Sequence, residues 1–143
     1  MNQESKKLIV LQGIPASGKS TFARDFVKGK TDWIIVSRDA IRDMRGDYWV
    51  PNQENWVSDV ELTSIESALK RGFNVIIDAT NLNKKTVTKW ENLILSYPDY
   101  NIEFKVFKID LQEAIRRDIH RTRSVGTVVI KTMYDKGKDL YDI

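Results

Sequence analysis

Residues 13–21 read Gly-Ile-Pro-Ala-Ser-Gly-Lys-Ser-Thr. They stand between an apolar run, Leu8 to Gln12, and a stretch of helix-forming composition from Ser20 to Lys28. The pattern G-x-x-x-x-G-K-[ST] between a strand and a helix is that of a phosphate-cradling loop, and no other feature of the chain restricts its fold as much. Gly13 and Gly18 permit backbone turns that a side chain would block. The N–H groups from Ala16 through Ser17, Gly18, Lys19 and Ser20 to Thr21 can then converge on phosphate oxygens, helped by the positive end of the following helix. Lys19 would reach the β- and γ-phosphates as a point charge, and Ser20 would give its hydroxyl to Mg²⁺. The implied ligand is a nucleoside triphosphate, ATP, with Mg²⁺. The loop by itself says nothing about what receives the phosphate.

The remaining pattern tells which fold the loop belongs to. Four apolar runs read as strands, at 8–12, 33–37, 74–78 and 102–109. The first three are unbroken rather than alternating, as strands buried on both faces of a parallel sheet are. Helical stretches separate them: Ser20 to Lys28, then 52–72 with Trp56, Val60, Ile65 and Leu69 at helical spacing, then 83–97. A fourth helix is expected over 110–123, opening with Asp110 and Glu113 in capping-box spacing. A fifth is expected over 128–136. The expected fold is a single α/β domain over 1–143. It is doubly wound, with a parallel sheet of about four strands flanked by helices. In such sheets ligands bind beyond the carboxyl ends of the strands.

Composition narrows the class. The chain has 143 residues, 41% of them hydrophobic and 30% charged, and no cysteine. Disulfides, thiolate metal sites and a cysteine nucleophile are excluded. No apolar run approaches the ~18 residues of a membrane span, and the apolar part of the N-terminal stretch is too short for a secretory signal. A cytoplasmic location is the default expectation. The net charge of +3 is unevenly spread. From Arg116 to Lys138 seven basic residues face only Asp118 and Asp135, giving that segment +5 and the rest −2. A basic block suits a phosphate-rich ligand; it also suits a solvated helix face.

Residues just past each strand are the candidates for chemistry. Asp39 and Arg42 follow the second strand, three apart on one helix face. The carboxylate could take a proton from an attacking hydroxyl while the arginine holds the acceptor's own phosphate. The plain alternative is a helix cap at Ser37 or Asp39 with an exposed Arg42. Asp78 closes the third strand, where it could bind Mg²⁺ through water or orient Asp39 or Arg42. Thr80 and Asn81 follow at the strand mouth, and the alternative there is an Asn-rich turn that caps the next helix. Arg117 and Arg121, four apart, could clamp the transferring phosphoryl group. Arg116, Arg123, Lys131 and the lone His120 read as solvated. Tyr48, Trp49 and Trp56 surround Pro51 and could stack on bases or pack a loop. Trp33 and Trp90 read as core.

Taken together, "GIPASGKST", "SRDAIR", "DATNLN", "KVFKIDL" and "RRDIHR" resemble the kinase domain of phage-type polynucleotide 5′-kinases in order and approximate spacing. The resemblance covers nearly the whole chain. It implies a P-loop kinase fold with a basic, helical C-terminal lid, and ATP-dependent phosphorylation of 5′-hydroxyl ends of DNA or RNA in strand repair. Carried over by position, Lys19 and Ser20 are the phosphate-loop pair, Asp39 the general base, Arg42 the holder of the acceptor phosphate and Arg121 the lid arginine, with Arg117 beside it. Some relatives place the acid directly before the threonine, where this chain has Ala79. Many carry a phosphatase signature, D-x-D-x-T, that this chain lacks, so no phosphatase activity is expected of it. Relatives assemble, which leaves a homo-oligomer open, although no heptad or long apolar edge announces one. A nucleoside or other small hydroxyl metabolite is the alternative acceptor.

Overall fold

The computed structural model describes residues 5–46, 50–121 and 124–137. The elements run β1 (Lys6–Gln12), α1 (Lys19–Val27), β2 (Trp33–Ser37) and α2 (Arg38–Asp43). A 3₁₀ turn (Pro51–Gln53) then leads into α3 (Glu54–Lys70), β3 (Asn74–Asp78), α4 (Lys84–Ile94), β4 (Tyr100–Val106), α5 (Leu111–Ile119) and α6 (Thr127–Lys136). The four strands form one parallel sheet in the order β2-β3-β1-β4. The chain thus has the P-loop kinase fold expected of it, and the strand order brings the ends of β1, β2 and β3 side by side. Ser37 pairs with Asp78 in register, so α2 springs from the sheet directly beside Asp78.

The unbroken runs have their cause in this topology. Leu8, Val10, Val75 and Ile77 face α3 and α4, where they meet Val57, Ile65, Leu69 and Trp90. Ile9, Leu11 and Ile76 face α1 and meet Phe22, Ala23 and Phe26. Strands covered on both faces need apolar residues at every position. Each fully buried large side chain contributes about 1.5–3 kcal/mol, and Trp90, fully buried, is the largest of them. Trp33 is partly buried against Phe26, ring edge to ring face at 4.8 Å. β4 is the outer strand beyond β1 and alternates between more and less covered positions, because α1 leaves much of one of its faces open.

Several boundaries differ from the sequence pattern, and at β4 and α5 the packing shows why. The last strand starts at Tyr100 and ends at Val106 rather than running to Ile109. Phe107 makes one more hydrogen bond, to the Gln12 carbonyl (2.7 Å). Ile109 then leaves the sheet for a third apolar cluster, where Ile14 of the phosphate loop meets Ala114 of α5 and Ile130 of α6. Helix α5 stops at Ile119 rather than 123. The buried Asp118 carboxylate accepts hydrogen bonds from the Val125 and Gly126 N–H groups (2.9 Å each) and the Ser124 hydroxyl (2.8 Å), which turns the chain back toward α6. The Asp110 cap forms as read, accepting from the N–H groups of Gln112 and Glu113. Glu113 turns its carboxylate to Arg116 and Arg117 instead of completing the box. No helix among the described residues is long and apolar enough to cross a membrane.

Candidate active site

The carboxyl ends of β1, β2 and β3 open into a cavity of about 1050 Å³. Its floor is the loop between β1 and α1. Gly18 adopts φ 99°, a left-handed conformation that suits glycine, and Ala16 is held at φ 66° despite its side chain. Gly13 serves differently from its expected place in the cradle. Its N–H donates to the Thr80 carbonyl (3.0 Å), and a Cβ there would lie 2.8 Å from Ser17 Oγ and 3.1 Å from Phe107. It is a close-packed joint that fixes the loop to the end of β3. Gly18, Lys19, Ser20 and Thr21 line the cavity, as does Ala16, while Ser17 is buried with its hydroxyl 3.5 Å from Lys19 Nζ.

Lys19 is buried, and its Nζ donates to the Ile14 carbonyl (2.9 Å). Burial lowers its pKa to about 8, against the opposing pull of the Asp78 and Asp39 carboxylates and with a smaller push from Arg121. An ammonium this poorly solvated gains much from an arriving polyanion. Beside it, Ser20 Oγ donates to Asp78 Oδ2 at 2.7 Å. One hydroxyl and one carboxylate are hard oxygen donors that suit Mg²⁺, an ion that takes its other ligands from substrate phosphates and water. The described residues hold no cluster of three or more acidic or histidine side chains that would make an all-protein cage.

One wall is α2. Ser37 caps this helix, accepting from the Ala40 N–H (3.2 Å), so that part of the plain reading is correct. Its other part fails, because the Arg42 side chain is only 13% exposed. Arg42 Nη1 donates to Asp39 Oδ1 at 2.8 Å, while Nε and Nη2 donate to the two carboxylate oxygens of Glu54 at 3.0 and 2.6 Å. Asp39 and Arg42 line the same cavity as Lys19 and Ser20, and the Asp39 carboxylate acts electrostatically on Lys19. Asp78 is engaged with Ser20 rather than with Asp39 or Arg42. Thr80 lines the cavity mouth, but Asn81 does not join it. The Asn81 side chain donates to the Leu11 carbonyl (2.7 Å) and accepts from the Trp90 indole N–H (3.1 Å), and its backbone sits at φ 48°. It is a buried strut between β1 and α4, which corrects its placement among substrate-binding residues.

The opposite wall comes from α5, α6 and the turn between them. Arg117 and Arg121 both line the cavity. Arg117 Nη1 reaches the Ala16 carbonyl of the phosphate loop (3.4 Å), and its Nε donates to Glu113 (2.9 Å). The hydrogen bonds from Arg116 and then Arg117 hold the Glu113 pKa down to about 2. Arg121 Nη1 lies 3.8 Å from the Asp118 carboxylate and is buried without a hydrogen-bond partner among the described residues. Burial alone would raise the Asp118 carboxyl. The Val125 and Gly126 N–H groups and the Ser124 hydroxyl overcome that and hold it below its ordinary value. His120 is exposed, as read. Tyr48, Trp49 and Arg123 lie outside the described residues. Trp56 is 40% exposed with the Arg45 guanidinium 5.8 Å from its ring centre, so it is not loop core.

Sequence reasoning missed Glu54, and Arg38 with it. Glu54 looked like any acidic residue in a first helical turn, and no spacing links it to Arg42 twelve positions earlier. The apolar lining by Val125, Val129 and Met133 was also missed, although its helix was expected.

A glycine-rich loop, a Ser–Asp pair at the strand ends and an arginine-bearing wall define a P-loop phosphotransferase type of site. The family model described as AAA domain matches residues 8–139, and the chain belongs to that family, with a P-loop kinase fold. It is 34% identical over 133 residues to the L-seryl-tRNA(Sec) kinase of Methanococcus maripaludis, covering 90% of this chain and 51% of that one. It is 30% identical over 149 residues to a protein of Autographa californica nuclear polyhedrosis virus assigned as a bifunctional polynucleotide kinase/RNA ligase, covering 92% of this chain and 21% of that one. A chain in the structure of the Pnkp1/Rnl/Hen1 RNA repair complex superposes with a TM-score of 0.79 at 30% identity, over 99% of this chain and 47% of that chain. The chain thus spans about half or less of the proteins it resembles.

Proposed function

We propose that this domain transfers the γ-phosphoryl group of ATP to the 5′-hydroxyl end of DNA or RNA, in nucleic-acid repair in the cytoplasm. The observation that carries the reading is the shared cavity: Asp39 and Arg42 of α2 line it together with Lys19 and Ser20 of the phosphate loop. A phosphate loop alone would serve a hydrolase or a switch. A carboxylate and an arginine in the same cavity provide for an acceptor with a hydroxyl and a phosphate of its own. The likeness to the Pnkp1 complex and to the viral kinase/ligase supports the same choice.

In this reading the loop N–H groups and Lys19 hold the donor phosphates, and Lys19 exchanges the Ile14 carbonyl for phosphate oxygens. Ser20 and Asp78 would hold Mg²⁺, which when bound draws charge from the donor phosphates. Arg42 takes the phosphate on the 3′ side of the terminal nucleotide, which places the 5′-hydroxyl near Asp39. The hydroxyl oxygen forms its bond to the γ-phosphorus while the bond to the β,γ-bridging oxygen breaks, and that oxygen leaves with the electron pair on ADP. The hydroxyl proton passes to the Asp39 carboxylate. Arg121, with Arg117 beside it, meets the charge on the transferring group. Such transfers depend mainly on positioning and fixed charge.

A second reading rests on the 34% identity to the L-seryl-tRNA(Sec) kinase: a small hydroxyl, on a metabolite or an aminoacyl group, is the acceptor. A panel of acceptors separates the two. Matched 5′-hydroxyl DNA and RNA oligonucleotides, nucleoside 3′-monophosphates, free nucleosides and seryl-tRNA are each offered with ATP and Mg²⁺. The proposal expects oligonucleotides to be phosphorylated with the highest kcat/KM. Preferred labelling of free nucleosides or seryl-tRNA would replace it with the second reading.

A further inference from the structure

Between α2 and α3 lies a chain of charges of which the transfer step uses only the last two members, Arg42 and Asp39. Glu61 is buried, with its side chain 3% exposed, and accepts from Arg38 Nη1 at 2.9 Å. Arg38 also donates to the Ser58 hydroxyl (3.1 Å) and through Nη2 to Glu54 Oε1 (3.2 Å). Glu54 in turn grips Arg42 through both oxygens, and Arg42 reaches Asp39. From core to cavity the order is Glu61, Arg38, Glu54, Arg42, Asp39, with the sign of the charge alternating at every step. Buried ion pairs are a poor way to gain stability, since apolar residues of the same volume often do as well or better. What a bidentate carboxylate does well is fix the plane and direction of a guanidinium. Arg42 also pairs with Asp39, on its own helix, at 2.8 Å. Without Glu54, Arg42 would lose this two-oxygen anchor on α3 and be freer to close onto the carboxylate that the acceptor needs.

We infer that Glu54 is a positioning residue for acceptor recognition: its two-oxygen grip holds the Arg42 guanidinium in the plane that receives the acceptor's phosphate and away from closing over Asp39. Arg38, anchored by Glu61 and Ser58, fixes Glu54 from behind. The inference rests on the proposed role of Arg42, and the experiment keeps the two apart. Steady-state kinetics are measured for wild type, Glu54→Gln, Glu54→Asp and Arg42→Ala, with 5′-hydroxyl oligonucleotide, nucleoside 3′-monophosphate and free nucleoside as acceptors. Glu54→Gln should raise the acceptor KM at least tenfold, leave the ATP KM within twofold and shrink the preference for nucleoside 3′-monophosphate over free nucleoside. Glu54→Asp, which keeps the charge but shortens the reach, should fall between. If Glu54→Gln does not fold, the same ratios in Glu54→Asp decide. A preference lost in Arg42→Ala but untouched in the Glu54 variants overturns the inference alone. A preference untouched in Arg42→Ala overturns the role of Arg42 and the inference with it.

Discussion

The two halves of the cavity are built by different means. The floor is a single contiguous segment whose backbone makes the binding surface, with Gly18 in the left-handed region and Gly13 wedged against Ser17 and Phe107. The acceptor wall is an assembly of side chains from α2 and α3, held by ion pairs across a gap of many residues. A backbone surface binds what all its ligands share, the phosphates. A side-chain surface selects among ligands. The floor should therefore control every reaction of the domain, and the wall only those in which an acceptor takes part.

The largest effect should come from the floor. Lys19→Met is expected to lower phosphoryl transfer by on the order of 10²-fold or more, with nucleotide binding weakened but still measurable by calorimetry. Because burial makes the Lys19 charge costly, the same variant should melt no lower than wild type in a thermal scan. A drop in both activity and melting temperature would mean that Lys19 is a structural ion and would blur the contrast.

Next comes the wall. Arg42→Ala should raise the acceptor KM about 10- to 100-fold, the loss of a charged hydrogen-bonding fork. ATP affinity should stay within a factor of two. Equal loss for both ligands would erase the division between floor and wall.

A pH titration sharpens the floor alone. Lys19 in the free enzyme titrates at about 8, and bound phosphates favour its charged form. Below that value the ammonium is present and binding is full; above it each bound nucleotide must also take up a proton. ATP affinity should fall about tenfold between pH 7 and 9, and this fall should vanish in Lys19→Met. Acceptor affinity, measured by competition, should not share the profile.

The smallest effect on chemistry is expected at the turn between α5 and α6. Asp118→Asn removes a carboxylate that gathers three hydrogen bonds and should cost about 1–3 kcal/mol of stability. The Asp118 pKa is depressed in the fold. Its contribution is therefore fully present above its ordinary value and lost as pH falls below about 4 toward the folded value. The variant should show a shallower acid limb in stability against pH, while turnover changes only a few-fold.

The sequence disclosed these halves unequally, for physical reasons. The floor is local, so its pattern lies in nine consecutive residues. The sheet was legible because strands covered on both faces must be apolar throughout; the outer β4 misled at both ends, and the polar start of β1 at Lys6 was not read. Asp39 and Arg42 were legible because one helix turn brings them together. Glu54 was not, because its partner is set by how α3 packs on α2, and a glutamate in a first turn carries no mark of that. Asn81 misled for the opposite reason: it stands at a strand mouth, but its left-handed backbone turns the amide inward to Leu11 and Trp90. Position along the chain indicated the right edge of the sheet, and packing decided which side chains face the cavity.

The most direct test supplies γ-labelled ATP, Mg²⁺ and a 5′-hydroxyl oligonucleotide to wild type and to Asp39→Ala, following label on the 5′ end and ATP binding in parallel. The expected result is end-labelling by wild type that falls on the order of 10²-fold or more in the variant, with ATP affinity within twofold. End-labelling by folded Asp39→Ala at the wild-type rate would contradict the claim that this carboxylate activates the acceptor in the cavity it shares with the phosphate loop.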